Sequence, residues 1–302
     1  MIDSLRQEAL NHGDRLAILS VNRLKEIKKY IDEFRNGEEL NSFQNWIVDN
    51  IYNFQIPECG FEINSIIVVA IPHPAYAIVE FIRDGKKYNF KNLYMSDFGE
   101  SEKYLKDFIL KNSYHIQPAT KLPLKRLAVH SGLAVYGRNN ICYVDEMGSF
   151  ISFAAFYSDI PCYTDDWTEM KKADICSDCR ICFNNCPTAA IRENRFLINN
   201  ERCLSFINEG GGDFPEWLPA SVHHCVYDCL KCQVSCPMNR EYINNIDNSI
   251  KFDEEETEML LKGIPFEELP PELKRKSMIL GFNQWPDAIP RNLKMLFDLS
   301  DA

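Results

Sequence analysis

The chain has no apolar run long enough to cross a bilayer. Its longest runs, Ile66 to Ile71 and Phe153 to Tyr157, fall far short of the roughly 20 residues a spanning helix needs. The first residues, Met1-Ile-Asp-Ser-Leu-Arg-Gln-Glu, carry no cationic-then-apolar signal segment. Both absences lead us to expect a cytoplasmic protein away from membranes. Positive charge is also scarce: 33 Lys and Arg against 44 Asp and Glu leave a formal net charge of -11. That balance counts against a large electrostatic nucleic-acid footprint, because phosphate binding needs a positive face, but it leaves room for a small local one. Cysteine, by contrast, is plentiful, with 12 in 302 residues. In the cytoplasm these read as metal ligands and free thiols and not as a disulfide framework. At 45% apolar and 12% aromatic content, the chain can build a full core and a second module.

Most of the cysteines fall between Cys176 and Pro237. The stretch opens with Cys176-Ser-Asp-Cys179-Arg-Ile-Cys182-Phe-Asn-Asn-Cys186-Pro187 and closes with Cys229-Leu-Lys-Cys232-Gln-Val-Ser-Cys236-Pro237, with Cys203 between. This is the bacterial-ferredoxin spacing for [4Fe-4S] clusters. Three thiolates at that spacing reach three corners of one cubane, and the cysteine before proline points away toward a neighbouring cluster. The pattern predicts crossed ligation: Cys176, Cys179, Cys182 and Cys236 on one cluster, and Cys186, Cys203, Cys229 and Cys232 on the other. Zinc would accept paired Cys-x-x-Cys units, but doubled motifs ending in Cys-Pro are not the usual layout of tetrahedral sites. Cys225, four residues before Cys229, is left out of the ligand set on register.

Ahead of this module, Leu24, Ile27, Ile31 and Phe34 recur at helical spacing after Asn22, a candidate N-cap, and Phe43, Trp46, Ile47 and Ile51 suggest a second helix. Ser65 to Ile71 is a continuous β-branched run, expected as a strand covered on both faces and stopped by Pro72-His73-Pro74. Its end makes His73 and Tyr76 site candidates. Phe81 to Phe98 reads as loop or hairpin with a turn at Asp84-Gly85. Tyr104, Leu105, Phe108 and Ile109 mark another helix. Leu124 to Ser131 reads as helical and runs into a loop where Gly132 and Gly137 let backbone amides approach a ligand. Ile141 to Val144 and Ser149 to Tyr157 flank Asp145-Glu-Met-Gly148 as a hairpin feeding a second buried strand. Lys121, Lys125, Arg126 and Arg138 form a basic cluster able to meet a phosphate. Prolines 265, 270, 271, 286 and 290 divide the tail into short helices, packed by Leu273, Ile279, Leu280, Phe282 and Trp285.

The combination of Leu127-Ala-Val-His-Ser-Gly-Leu-Ala-Val-Tyr-Gly-Arg-Asn139, the hairpin with Gly148-Ser149, and the cluster motifs ending Cys236-Pro-Met-Asn239 resembles the epoxyqueuosine reductase family, whose mechanistic relatives are the reductive dehalogenases. The likeness covers about residues 60 to 245. It implies an α+β fold: a nitroreductase-like, cobalamin-binding domain over 1–165, a double [4Fe-4S] ferredoxin-like module over 166–245, and a short C-terminal helical wrap over 246–302. It also implies that a low-potential donor of ferredoxin or flavodoxin type feeds the clusters, and that electrons pass to a base-off corrinoid which reduces a small molecule or modified nucleoside. Gly132, Leu133, Tyr136, Gly137, Arg138 and Asn139 would line the corrin. No Asp-x-His-x-x-Gly signature supplies a protein histidine to cobalt.

Two departures stand out. The acidic residue the family carries before its glycine loop is matched here by Pro118 or Leu124, neither able to donate a proton. The tail carries Asp253-Glu-Glu-Glu256 and leaves no room for the helical repeats that grip transfer RNA. Both make transfer RNA the less favoured substrate. The proton would then come from Tyr76, His130 or Tyr157, with His73 and Tyr143 as further candidates. Two other classes fit the same residues: an electron-transfer or corrinoid-activating protein without its own organic substrate, and a flavin-dependent reductase.

Overall fold

The computed structural model describes residues 1–37, 40–95, 98–193 and 196–302. In chain order the elements are α1 (Ile2–Asn11), β1 (Arg15–Ser20), α2 (Leu24–Asn36), α3 (Ser42–Asn50), β2 (Ser65–Pro72), β3 (Tyr76–Arg83), β4 (Lys86–Asn92), α4 (Gly99–Lys111), β5 (Ile116–Pro118), α5 (Leu124–His130), β6 (Val135–Tyr136), β7 (Cys142–Tyr143) and β8 (Ile151–Ser158). There follow α6 (Ile181–Asn184), α7 (Leu204–Glu209), α8 (Lys231–Val234), β9 (Ile246–Asp247), β10 (Lys251–Phe252), α9 (Glu254–Leu261), α10 (Pro271–Ile279) and α11 (Ala288–Asp301). They gather into two compact units, Met1–Pro72 with Ser96–Cys179, and His73–Met95 with Arg180–Ala302. This division differs from three consecutive segments: the hairpin of β3 and β4 joins the later chain, and Cys176 and Cys179 stay with the earlier.

The first unit is built on an antiparallel sheet in the order β1-β2-β8-β5. As the β-branched run requires, β2 is central, and Ile66 through Ala70 are fully buried. Leu5 and Ala9 of α1 and Leu105 and Ile109 of α4 cover the face that shows Ile67 and Val69. Strand alternation sends Ile66, Val68 and Ala70 to the opposite face, and α5 packs against β2 and β8. Neither α1 nor β1 is anticipated by the sequence reading. Helix α2 buries Leu24, Ile27 and Ile31 as its spacing predicts, but its N-cap is Arg23, with no side-chain bond; Ser20 instead caps the 3-10 turn Val21–Arg23 ahead of it, its hydroxyl accepting the Asn22 N–H at 3.3 Å. Helix α3 opens on a capping box of Asn41 and Gln44 yet buries no residue, and Trp46 is half exposed.

The expected hairpin around Asp145 to Gly148 is corrected. Val144 and Gly148 form one bridge, but β7 pairs with β6 and β8 runs alongside β2. The aliphatic and aromatic content of β8 is drawn into the main sheet, where both strand faces can be buried. The 161–175 linker is likewise pinned: Asp166 accepts Arg6 Nη2 at 2.6 Å and the Ile18 N–H at 2.8 Å, and Asp165 accepts Arg23 Nε at 2.6 Å.

The second unit begins with the β3–β4 hairpin, whose turn residues Asp84 and Gly85 take positive φ of 52° and 70°. Short parallel pairings add β9 and β10 to β3. Phe81 stacks on Phe252 with centroids 5.0 Å apart and meets Phe297 edge-on. Leu273, Leu280 and Phe282 complete the same core. The tail is thus core material for the hairpin. Pro271 and Pro290 sit in the first turns of α10 and α11, where a missing N–H costs little. The acidic run starting at Asp253 caps α9: Asp253 and Glu256 form a capping box.

Candidate iron-sulfur centres

The cysteine segment shows one local design used twice. Two residues after Cys179 the chain turns into α6, which carries Cys182; two residues after Cys229 it turns into α8, which carries Cys232. Each short helix ends at a Cys-Pro step, Cys186-Pro187 or Cys236-Pro237. Proline cannot continue the helical hydrogen bonding, so the last cysteine of each motif is turned out of the helix. Helices α6 and α8 pack on each other within the second unit.

The lead-in to the first motif belongs to the first unit. Strand β6 gives it an edge: Tyr136 N–H donates to Lys171 O at 2.9 Å and Ala173 N–H to Tyr136 O at 2.8 Å. Arg138 then grips the turn. Its backbone N–H donates to Cys176 Sγ at 3.4 Å, Nε donates to Cys179 O at 3.0 Å, and Nη2 donates to the carbonyls of Cys176 and, at 3.3 Å, Ser177. A guanidinium fork suits this, because several rigid donors can hold several carbonyls at once.

In the second motif Cys229 is buried. Cys229 lies between Asp228 and Leu230, both at positive φ, 65° and 61°. The Asp228 carboxylate accepts the Cys229 N–H at 2.6 Å and the Ser205 hydroxyl, and Asn208 Nδ2 donates to Asp228 O at 2.9 Å. This support holds an aspartate in a conformation that side chains rarely adopt. His224 Nε2 lies 3.8 Å from Cys229 Sγ and 2.7 Å from Cys229 O. Cys203 occupies the N-cap position of α7. Cys186 Sγ accepts the Ala190 N–H at 3.2 Å. Burial pushes the thiols of Cys203 and Cys229 up. A buried thiolate therefore needs a cationic partner, and ferric or ferrous iron supplies one. Cys225 is fully buried, its thiol pushed up by burial and donating to Cys229 O at 3.4 Å. Among the described residues no three His, Cys, Asp or Glu side chains converge as ligands of a single ion.

The other candidates are dispersed. Tyr76 opens β3 in the second unit, with Lys91 Nζ 4.1 Å from its ring centroid. His73 Nδ1 lies 2.7 Å from Pro74 O, a turn contact. Tyr157 is buried in β8, its phenol pushed up by burial. His130 ends α5 with Nδ1 3.0 Å from Thr168 O; a carbonyl only accepts, so Nδ1 carries the proton and Nε2 is a bare acceptor. Burial lowers its pKa, so His130 has no proton on Nε2 to give. In the glycine loop, Gly132 follows the C-cap of α5 at φ 73° and is exposed, with only Thr168 within 4 Å of an added Cβ. A Cβ on Gly137 would lie 2.6 Å from both Asn139 Oδ1 and Tyr143, so this glycine serves internal packing. Asn139 Nδ2 donates to the Tyr143 hydroxyl at 3.0 Å, and Tyr136 is buried. Leu133 is half-buried. The basic cluster splits: Lys121 and Lys125 are exposed, Arg126 is buried, and Arg138 holds the cysteine turn.

Residues 175–239 match the family model of a 4Fe-4S double cluster binding domain. The fold and cysteine segment therefore define a mixed α/β iron-sulfur protein with a double-cluster module. Among curated proteins the chain is 32% identical over 116 residues to the epoxyqueuosine reductase of Staphylococcus aureus, covering 38% of this chain and 29% of that protein. It is 26% identical over 206 residues to that of Atelocyanobacterium thalassa, covering 65% of each. The chain thus spans less than two thirds of the length of these relatives. The structure of the Bacillus subtilis epoxyqueuosine reductase shares its fold with a TM-score of 0.67 at 19% identity, over 98% of this chain and 80% of that one. The chain is epoxyqueuosine reductase-like in sequence and fold. Among the described residues no helix is long and apolar enough to cross a membrane.

One expectation is overturned. Transfer RNA was less favoured on net charge, on the missing acidic residue and on the missing repeats. Yet an epoxyqueuosine reductase structure holding an epoxyqueuosine-modified tRNA-Tyr stem loop matches 98% of this chain and 82% of its own, with a TM-score of 0.66. Net charge is a sum over the surface, while a nucleic-acid footprint is local, so the charge balance does not count against transfer RNA.

Proposed function

We propose that the protein is an iron-sulfur reductase of the epoxyqueuosine reductase type, which passes electrons singly through two [4Fe-4S] clusters to a bound corrinoid and reduces a modified nucleoside, with a transfer RNA stem loop as the first substrate to test. The observation that carries this reading is the double-cluster cysteine segment set within the epoxyqueuosine reductase fold over almost the whole chain. In it, Cys176, Cys179, Cys182 and Cys236 hold one cluster, and Cys186, Cys203, Cys229 and Cys232 the other. A ferredoxin or flavodoxin supplies the electrons.

The corrinoid supplies a strongly reducing cobalt centre when bound. Exposed Gly132 and half-buried Leu133 are the loop residues free to lie against it; Tyr136, Gly137, Arg138 and Asn139 shape the loop from behind. Arg138 also fixes the backbone of the first cysteine turn. Pro118 and Leu124 carry no proton, and His130 has none on Nε2. The tyrosine candidates for the proton are Tyr76 and Tyr157; Tyr76 carries Lys91 Nζ over its ring, and a nearby cation stabilises a phenolate.

The test is anaerobic purification after expression with cobalamin, followed by an absorbance spectrum and iron and cobalt quantification on one sample. Iron for two cubanes with about one cobalt supports the reading, and turnover of epoxyqueuosine in a tRNA stem loop would establish the substrate. Iron without cobalt or flavin points to an electron-transfer or activating protein, which the lack of an acid at Pro118 and Leu124 favours. Flavin absorbance without cobalt points to a flavin reductase.

A further inference from the structure

The loop that leads into the second cysteine motif carries a histidine that the cluster assignment does not use. His224 follows a one-turn helix, Ala220–Val222, and lies five residues before Cys229. Its Nδ1 is 2.7 Å from Val222 O and its Nε2 is 2.7 Å from Cys229 O. A carbonyl oxygen only accepts, so each ring nitrogen carries a hydrogen. A neutral imidazole has one N–H, and its bare nitrogen would set a lone pair against the other carbonyl. The ring therefore stands as an imidazolium, clamped between two backbone oxygens.

The environment of Cys229 is apolar. It packs with Leu204, Ile207 and Leu218, and Phe214 and Val222 lie against the same group. Cys229 O takes a second bond from Cys225 Sγ at 3.4 Å, so both of its lone pairs are used and the carbonyl is fixed. Nε2 is also 3.8 Å from Cys229 Sγ, which makes the sulfur a weak second acceptor of the same N–H. On the other side the Asp228 carboxylate accepts the Cys229 N–H at 2.6 Å. Reduction adds an electron to a cluster that already carries thiolates, next to this carboxylate and with little water to screen it. A cation 3.8 Å from one ligand sulfur stabilises the reduced state more than the oxidised one.

We propose that His224 is a potential-setting residue of the second cluster: held as a cation between two carbonyls, it offsets part of the penalty that burial and Asp228 place on reduction. It thereby keeps the cluster within reach of its electron donor. In this His224 parallels Arg138, whose guanidinium takes the carbonyls of Cys176 and Cys179 at the first motif. The inference rests on the two-cluster reading of the proposed function and concerns the potential of one cluster, not its ligands.

The test is an anaerobic redox titration of the full-length holoprotein, followed by electron paramagnetic resonance, with iron quantified on each sample. His224→Leu removes the charge and the donor while keeping an apolar side chain of similar reach. With iron undiminished, one cluster potential should fall so that the ratio of reduced to oxidised cluster at a fixed potential drops about tenfold, a shift of about 59 mV for one electron, while the other cluster stays put. His224→Gln restores an N–H donor without the charge and should fall between wild type and His224→Leu. A second measurement needs no variant: in the reduced wild-type holoprotein labelled with 15N-histidine, pulsed electron paramagnetic resonance should show a weakly coupled histidine nitrogen on one cluster signal and not on the other. Unmoved potentials in an iron-replete His224→Leu protein, equal falls in both clusters, a His224→Gln potential no higher than that of His224→Leu, or no coupled histidine nitrogen overturns the proposal. Wild-type protein with iron for fewer than two cubanes would overturn the two-cluster reading itself, and this inference with it.

Discussion

The two cysteine motifs have the same spacing and opposite surroundings. Around Cys176 and Cys179 the neighbours Asp174, Ile175, Ser177, Asp178 and Arg180 are exposed, and the turn is held from outside by one arginine. Around Cys229 the neighbours Val226, Tyr227 and Leu230 are buried, and the turn is held from within by Asp228, Ser205 and Asn208. Cluster type follows from ligand spacing, but potential follows from burial, charge and hydrogen bonds to sulfur. A cluster anchored at Cys229 gains negative charge in a poorly solvated setting on reduction, so it should be the harder of the two to reduce.

The sharpest way to break this comparison is to remove one ligand from each side. Cys179→Ser and Cys232→Ser should each lower iron by about half, with different surviving species by electron paramagnetic resonance. Loss of the same species from both variants would refute the crossed assignment. Arg138→Gln comes next: removing the guanidinium forfeits charge-assisted bonds worth about 1.5–3 kcal/mol each, so the exposed cluster should become labile to chelator while the buried one persists. Equal chelator sensitivity of both clusters would mean that Arg138 does not hold the first turn. On the buried side, Asp228→Asn keeps an acceptor and tolerates the left-handed backbone, whereas Asp228→Val should destabilise the protein by about 1–3 kcal/mol through strain and lost acceptors, read by denaturant unfolding.

The smallest effect concerns pH. Burial raises the Glu209 carboxyl from 4.5 to about 7 and lowers His223 from 6.5 to about 4. For Glu209 the folded state binds the proton more tightly, so stability falls as pH rises between about 4.5 and 7; for His223 the unfolded state does, so stability falls as pH drops from 6.5 to about 4. Across the shared window the two slopes oppose. Glu209→Gln should uncover a loss of thermal stability on acidification, and His223→Phe the reverse; a flat profile in both variants would show that neither group titrates as its burial requires.

Local patterns survived into the structure wherever a covalent or short-range rule decided them. The Cys-x-x-Cys-x3-Cys-Pro runs became matched turns and short helices, the Ser65 to Ile71 run became the central strand, and the periodicity of Leu24, Ile27 and Ile31 became the buried face of α2. Misreadings came where partners lie far apart in sequence. Asn22 falls inside a 3-10 turn that Ser20 caps, so the α2 N-cap is Arg23, and the hairpin at 144–148 lost β8 to β2, a strand some 80 residues earlier. Phe81 found its partners in Phe252 and Phe297, so that the hairpin read from its turn became the base of the second core.

Arg138 marks the boundary most clearly. The motif around it was legible, and its placement in a loop beside Gly137 followed from composition. That its guanidinium would close on carbonyls 38 to 41 residues away could not be read from spacing. Nor could the sandwiching of His130 between Tyr30 and Trp167. Cluster chemistry, helix periodicity and the buried central strand were inherent in the order of residues, because each depends on neighbours within a few positions. Which cysteine turn is buried, which arginine holds the other, and which histidine nitrogen stays bare were decided by tertiary packing, since burial and hydrogen-bond partners depend on what folding brings alongside.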